Sequence, residues 1–247
     1  MLYFILGFGL FISFFPKIIT EKNAPQLLSG FNTLSKEKQA QVDLKGLLQT
    51  MRDYHFKVGG GSTLVALILY FLNWKDAAMF TVSFGPILGY FYLIPKMQEF
   101  YGEAATGIQS QAKIGVVILA VVMLGVGGML VYGYQDNQLE ISSEELIFSG
   151  MYGLEIQKEA VAELRILDRL PKITKRTNGF ATQHMLKGKF RTEDGKKVHL
   201  ILNARQGPFL EINRPKNPTV YFSLEQNSQT VVQQLKRMGW PLNTTSY

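Results

Sequence analysis

The chain has 247 residues, 47% of them apolar, with a formal net charge of +7 and no cysteine. That length allows one large domain or two modest ones. The apolar content excludes a disordered chain, and the missing cysteines exclude disulfides, thiolate metal sites and a cysteine nucleophile. The average conceals a division. The first 134 residues carry 10 Lys and Arg with 7 Asp and Glu, whereas the last 113 carry 16 and 12.

Four segments of the first part reach the length and polarity of a bilayer span, about 20 mostly apolar residues. Residues 1–16 hold no charge and extend to Thr20 if Lys17 snorkels to the interface; with no basic leader and no small-x-small cleavage site, this is expected to be a retained helix. Residues 58–74 open on Gly59-Gly60-Gly61, read as a flexible start. Residues 77–95 are aromatic-rich, with a kink expected at Pro86, and 73–76 form the intervening turn. Residues 114–134 run 21 positions without a charge and carry Gly115, Gly125, Gly127 and Gly128, the small residues of close helix packing within or between chains. A hairpin of buried soluble helices is the alternative for the middle two segments. No span contains Asp, Glu, Lys, Arg or His, which argues against ion-coupled transport.

Lys and Arg concentrate in the loop at 17–57, with seven, and at 96–113, with two, against Lys75 alone near the other side. The positive-inside rule then places the N-terminus outside, 17–57 in the cytoplasm and the C-terminal domain outside. Within 17–57, Ser35 is expected to cap a short helix ending near Val42. Asp43 is expected to cap a second one whose Leu44, Leu47, Leu48, Met51 and Tyr54 share a face. That face can lie on the membrane or pack on the helical bundle.

From Asn137 the periodicity becomes two. The expected order is a strand at 139–141, a turn at 142–145, a return strand bent at Gly150 and Gly153, and a strand at 161–167. A long connection follows from Asp168 to Met185, then a hairpin of 187–192 and 197–203 about the Glu193–Lys196 turn. Strands at 209–213 and 220–224 and an amphipathic helix at 228–238, stopped by Gly239 and Pro241, complete the domain. The domains are thus 1–134, a four-helix transmembrane region, and 135–247, an α+β domain with a seven-stranded bent antiparallel sheet capped by a helix, the shape of a pleckstrin-homology domain.

The run Gly30-Phe31-Asn32-Thr33-Leu34-Ser35-Lys36-Glu37, continuing through Asp43-Leu44-Lys45-Gly46-Leu47, resembles an uncharacterised bacterial multi-pass membrane family with a G-[FY]-N-T-[ML]-S-K-E loop after its first helix. The second half is similar to bacterial pleckstrin-homology-like domains through Gly150–Gly153, Leu170–Ile173, Arg176–Ala181, Lys187–Phe190 and Pro208–Ile212. The resemblance implies a fold and an address in the bacterial cytoplasmic membrane, but no activity.

The candidate binding loop is Arg176, Asn178, Gly179 and Phe180 with Lys172 and Lys187. It reads either as a site for an anion or acidic partner, with Arg176 giving bidentate contacts, or as a turn at Asn178-Gly179 anchored by Arg176. The groove between the terminal helix and the sheet is a second candidate. The first hairpin turn, Ser142-Ser143-Glu144-Glu145, is acidic and disfavours phosphoinositide binding there. His55, His184 and His199 have no ligand spacing, and His199 is expected on the solvent side of its strand. Asn243-Thr244-Thr245 matches a glycosylation sequon by chance. No catalytic residue, metal ligand or cofactor motif is found, and the basic residues are not arranged for nucleic acid. The expectation is a non-enzymatic membrane-tethered binding module, its partners the bilayer and a protein or peptide, with homo-oligomers open. The alternative is a small-solute or lipid-handling protein with a regulatory or oligomerising C-terminal domain.

Overall fold

The computed structural model describes residues 1–105, 108–224 and 228–243. It divides into two compact units, Met1–Gly125 and Val126–Tyr247. Of the chance sequon match at Asn243-Thr244-Thr245, the two threonines lie outside the described residues.

In the first unit, α1 (Leu2–Phe14) runs without a charged residue into a 3-10 turn, Phe15–Ile18, with Pro16 in its first positions. Two short helices follow, α2 (Ala24–Leu27) and α3 (Lys36–Gln39). As expected, Ser35 Oγ accepts from the Lys38 amide at the start of α3, and Asp43 Oδ1 accepts from the Gly46 amide at 2.9 Å to begin α4. But α4 (Leu44–Phe71) is one helix of 28 residues, joining the expected loop helix to the expected second span. The glycines at 59–61 do not break it, although each costs about 1 kcal/mol in propensity relative to alanine. Gly59 has a packing role instead of a flexible one. A Cβ there would fall 2.6 Å from Ser13 Oγ, and a Cβ at Gly9 would fall 1.8 Å from Thr63 Oγ1. Gly9 and Ser13 of α1 thus meet Gly59 and Thr63 of α4, four residues apart on each helix, the small-xxx-small geometry that lets backbones approach. Ser13 and Thr63 return their hydroxyl protons to the carbonyls of Gly9 and Gly59, at 2.8 and 2.6 Å.

After a turn at Asn73, α5 (Lys75–Leu88) and α6 (Tyr90–Gln98) continue nearly as one rod, interrupted at Gly89 three residues beyond Pro86. A 3-10 segment, Glu99–Ala105, follows. Ile5, Ala66, Ala78 and Val82 form the core of α1, α4 and α5. A second cluster settles where the apolar face of the 43–57 region goes. Leu47, Leu48 and Met51 close on Ala24, Leu28, Phe31, Tyr101 and Ala104, inside the protein. The last helix, α7 (Ile108–Tyr134), is different: nothing lies within 4 Å of a Cβ built at Gly115, Gly125, Gly127 or Gly128. Among the described residues, close packing within the chain at these four is therefore not observed. Among the described residues two helical runs, Lys75–Ala104 and Gln109–Tyr134, are long and apolar enough to cross a membrane; Leu2–Ile18 is apolar but shorter.

Among the described residues the second unit holds ten strands, not seven. β1 (Leu139–Ile141), β2 (Glu145–Phe148) and β3 (Leu154–Gln157) form a three-stranded antiparallel sheet. The bend at Gly150 is a full reversal with Gly150 at φ +80 and Tyr152 at φ +59, so the bent return strand is two strands. The larger sheet comprises β4 (Glu163–Leu167), β5 (Ile173–Ala181), β6 (Leu186–Thr192), β7 (Lys197–Leu202), β8 (Phe209–Asn213), β9 (Thr219–Ser223) and β10 (Leu242–Asn243). Their spatial order is β10-β4-β8-β9-β7-β6-β5. Two pairs, β7 with β9 and β10 with β4, are parallel, which corrects the all-antiparallel expectation. α8 (Ser228–Arg237) lays Val231, Val232 and Leu235 on a core of Leu146, Phe148, Ile156, Leu164, Ile212 and Phe222. The proposed groove under the terminal helix is therefore filled by its own apolar face. A second core, with Phe190, Leu200, Phe209 and Tyr221, covers the opposite side of the larger sheet.

Candidate binding face of the C-terminal domain

The expected loop at 168–185 is mostly strand. β5 pairs with β6 over its length, with irregularities between Ile173 and Lys175 and between Arg176 and Asn178. Its sequence, Thr174 to Asn178, lacks alternating apolar residues because it is the exposed edge of the sheet. Charge on such an edge discourages pairing with another chain.

The six candidate residues do not converge. Lys172 is exposed and ion-paired to Glu193 at 2.5 Å. Arg176 lies opposite Phe190 and is exposed. Asn178 lies opposite Lys189 and accepts a hydrogen bond from the Tyr152 hydroxyl at 2.7 Å. Gly179 faces Gly188 where the strands come together; a Cβ at Gly179 would sit 2.5 Å from the Lys187 carbonyl. Phe180 turns its ring edge-on to Tyr134, centroids 5.4 Å apart, and covers Gly133, so it grips the end of α7. Lys187 is fully buried, contrary to its reading as a binding residue. Its ammonium donates to the Gln135 carbonyl just past α7, where the helix dipole favours a cation. Burial pushes its pKa down, partly offset by Asp136.

Asn137 completes this joint. Its amide N–H donates to Asn203 Oδ1 and its carbonyl accepts from Asn203 Nδ2, both at 2.9 Å. Its own side-chain amide donates to the carbonyls of Ser149 and Met151. The chain therefore passes from α7 into the sheet domain through three separate attachments.

Beside Asn178 opens a cleft of about 610 Å³ that holds Lys189, Arg191, Lys197, His199 and Arg214. These residues lay outside the expected site. The signal for them was present as alternation: Lys187-x-Lys189-x-Arg191 and Lys197-x-His199 flank one hairpin turn, so period two places the cations on one face. Arg214 is held by the Pro218 carbonyl, which accepts from Nε at 3.1 Å and Nη2 at 2.6 Å, and burial lowers its pKa. His199 is half-buried, correcting its expected solvent position. Its Nε2 lies 2.8 Å from the Tyr152 carbonyl, so Nε2 carries the proton. Burial lowers its pKa first, with Arg214 and Lys189 acting the same way. A neighbouring cavity of about 660 Å³ has mixed charge and includes Asp194 and Glu211. There Tyr221 donates to Glu211 at 2.8 Å, with its pKa raised by burial and by that carboxylate. Asp194 is held at about 2 by the Thr192 hydroxyl and Lys196.

Residues 3–101 match a family described as a domain of unknown function (DUF3784). The match takes in the helical unit as far as Tyr101 and leaves the C-terminal domain outside it. It is consistent with the resemblance of the first part to an uncharacterised family. No curated protein and no solved structure matches the chain.

Proposed function

We propose that this is a non-enzymatic, multi-pass membrane protein whose C-terminal domain is a binding module held at the membrane surface. The observation that carries the reading is the joint at 133–137: a domain with an open cleft is fixed to the end of a helix long enough to span. A fixed attachment serves a module that must present one face to a ligand. We take α1, the second half of α4, the α5–α6 rod and α7 as four spans, supported by the continuity of α4 and by the Lys and Arg balance, which puts the C-terminal domain on the extracytoplasmic side of a bacterial cytoplasmic membrane. The pleckstrin-homology likeness is supported by a C-terminal helix closing a small sheet, and opposed by the parallel β7–β9 pair.

Single cysteines at Gln39 and Asp194, in a chain with none of its own, test the topology with an impermeant maleimide on intact spheroplasts. Labelling at 194 alone is expected, and labelling at 39 alone overturns the orientation. Photo-crosslinking residues at Asn178, Asp194 and Asn217 of the full chain test the binding role in cells. A discrete adduct from at least one position is expected, and no adduct from any of them sinks it.

One observation favours the alternative, in which the helical unit handles a small solute or lipid. Buried His55 of α4 places Nδ1 2.7 Å from the Met51 carbonyl and Nε2 2.7 Å from the Tyr90 hydroxyl. It is a buried titratable side chain between α4 and α6. Loss of phenotype in His55→Ala with all crosslinked adducts intact would shift the assignment to the helices.

A further inference from the structure

The larger sheet carries two different surfaces on one face. Leu164, Ile212, Val220 and Phe222 lie there, under the three-stranded sheet and α8. In register, Val220 pairs with His199, His199 with Lys189, and Lys189 with Asn178. Directly paired residues share a face, and so do residues two apart on a strand. The same face therefore continues outward through His199 and Lys197 on β7, then Lys189 and Arg191 on β6. Where the apolar cover stops, the cations begin, and Arg214 reaches in from the end of β8.

Elsewhere in the domain, Arg165, Lys172 and Lys196 sit 2.5–2.9 Å from Glu163, Glu193 and Asp194. Among the described residues, Lys189, Arg191, Lys197 and Arg214 form no ion pair, and no carboxylate lines their cleft. Four permanent positive charges crowd one concave site, an arrangement that repels itself until an anion enters. The spacing is also wider than a single phosphate. Lys189 and Arg191 stand about 7 Å apart along β6, and Lys197 faces Arg191 at about 5 Å across the ladder. Arg214, with Nε and Nη2 on the Pro218 carbonyl, and Arg191, with Nη1 on the Gly195 carbonyl at 3.2 Å, each keep further guanidinium N–H groups that suit phosphate oxygens, and a volume of several hundred Å³ is that of a small-molecule site.

We propose that this cleft binds a multiply phosphorylated ligand, its phosphates divided between Lys189–Arg191 on β6 and Lys197–Arg214 beside them. The proposal rests on the binding-module reading above and names its ligand class. Two sources share this chemistry: the headgroup of an anionic phospholipid and a soluble polyphosphate-bearing molecule. The first is within reach, because Lys189 lies one same-face position, about 7 Å, along β6 from Lys187, whose ammonium is bonded to the residue following α7.

The test uses the full chain in phosphatidylcholine nanodiscs titrated calorimetrically with inorganic tripolyphosphate. Saturable binding is expected, weakened about tenfold or more in K189A/R191A, since each lost bond is charge-assisted. Both side chains are exposed, and an unchanged melting temperature confirms that the variant is folded. K172A, whose lysine pairs with Glu193 outside the cleft, is expected to bind as the parent does. Repeating the titration in nanodiscs containing cardiolipin separates the sources. Weakened tripolyphosphate binding there, and no weakening in K189A/R191A beyond its own baseline, supports a headgroup in the cleft. Unchanged binding supports a soluble ligand. No binding by the parent chain, or binding that K189A/R191A leaves intact, overturns the proposal. Crosslinked adducts from Asn178, Asp194 or Asn217 in that event would keep the binding-module reading standing while the anion assignment falls.

Discussion

Replacing Gly188 by alanine tests the close backbone approach between β5 and β6. Gly188 has φ +117, and its Cβ would lie 2.5 Å from the Asn178 carbonyl oxygen, 2.7 Å from Gly179 Cα and 3.2 Å from the Tyr152 ring. The first two are backbone atoms and cannot swing aside. Gly195 is the matched control, with φ +80 in the turn between β6 and β7 and nothing within 4 Å of its Cβ. A left-handed conformation costs a non-glycine residue about 1–2 kcal/mol, and alanine returns about 0.4–1 kcal/mol through a less flexible unfolded chain. Gly195→Ala should therefore cost about 1 kcal/mol. Gly188→Ala adds overpacking of about 1–3 kcal/mol, for a total near 3 kcal/mol. For a unit of this size, 1 kcal/mol moves the melting temperature by about 3–5 °C, so the two variants should separate by about 6–10 °C. Trp240, buried beside α8, reports unfolding of this unit in a Trp74→Phe background, with the full chain in detergent. Melting within about 2 °C of each other would refute the claim that the β5–β6 pair is held this close.

Two further outcomes are expected. Gly59→Leu, which must displace Ser13, should destabilise the α1–α4 crossing by about 1–3 kcal/mol, so the helical unit unfolds at a lower SDS fraction by circular dichroism; Gly60→Leu, where a Cβ meets nothing, should not. Equal behaviour of the two would discard the crossing. The second concerns pH. His199 faces Lys189, Arg214 and the Tyr152 carbonyl, with Arg191 and Lys197 in the same cleft, and its folded pKa lies below the ordinary 6.5. The unfolded chain then binds more protons than the folded one below pH 6.5, so its contribution to stability is present above that pH and lost as pH falls. The Trp240 melting temperature should drop on acidification, and His199→Gln should flatten the drop. An equally steep profile in the variant would remove His199 from the explanation.

Local chemistry was legible where the sequence states it directly. The caps at Ser35 and Asp43, the turn at Gly195 and the amphipathic stripe of α8 are short-range signals, each set by a few neighbouring residues. β5 was not legible, because an edge strand needs no apolar alternation and Thr174–Asn178 reads as polar loop. The role of Gly59 was missed for a different reason: its partner, Ser13, is 46 positions away, and nothing local distinguishes a glycine that admits another helix from one that loosens its own. Lys187 was misjudged because charge alone suggests exposure, while its burial depends on a carbonyl 52 positions earlier. The cationic cleft lay between these cases. Alternation on each strand carries the shared face, although it was not read there, and Arg214 joins it only through the fold.

The joint between α7 and the sheet also has a mechanical meaning. Phe180 on Gly133 and Tyr134, Lys187 on Gln135 and the paired asparagines at 137 and 203 are spread over five consecutive residues and leave no slack. A single bond at one residue would leave the last turn of α7 free to swivel against the sheet; contacts at Gly133, Tyr134, Gln135 and Asn137 instead tie it at three points within the second unit.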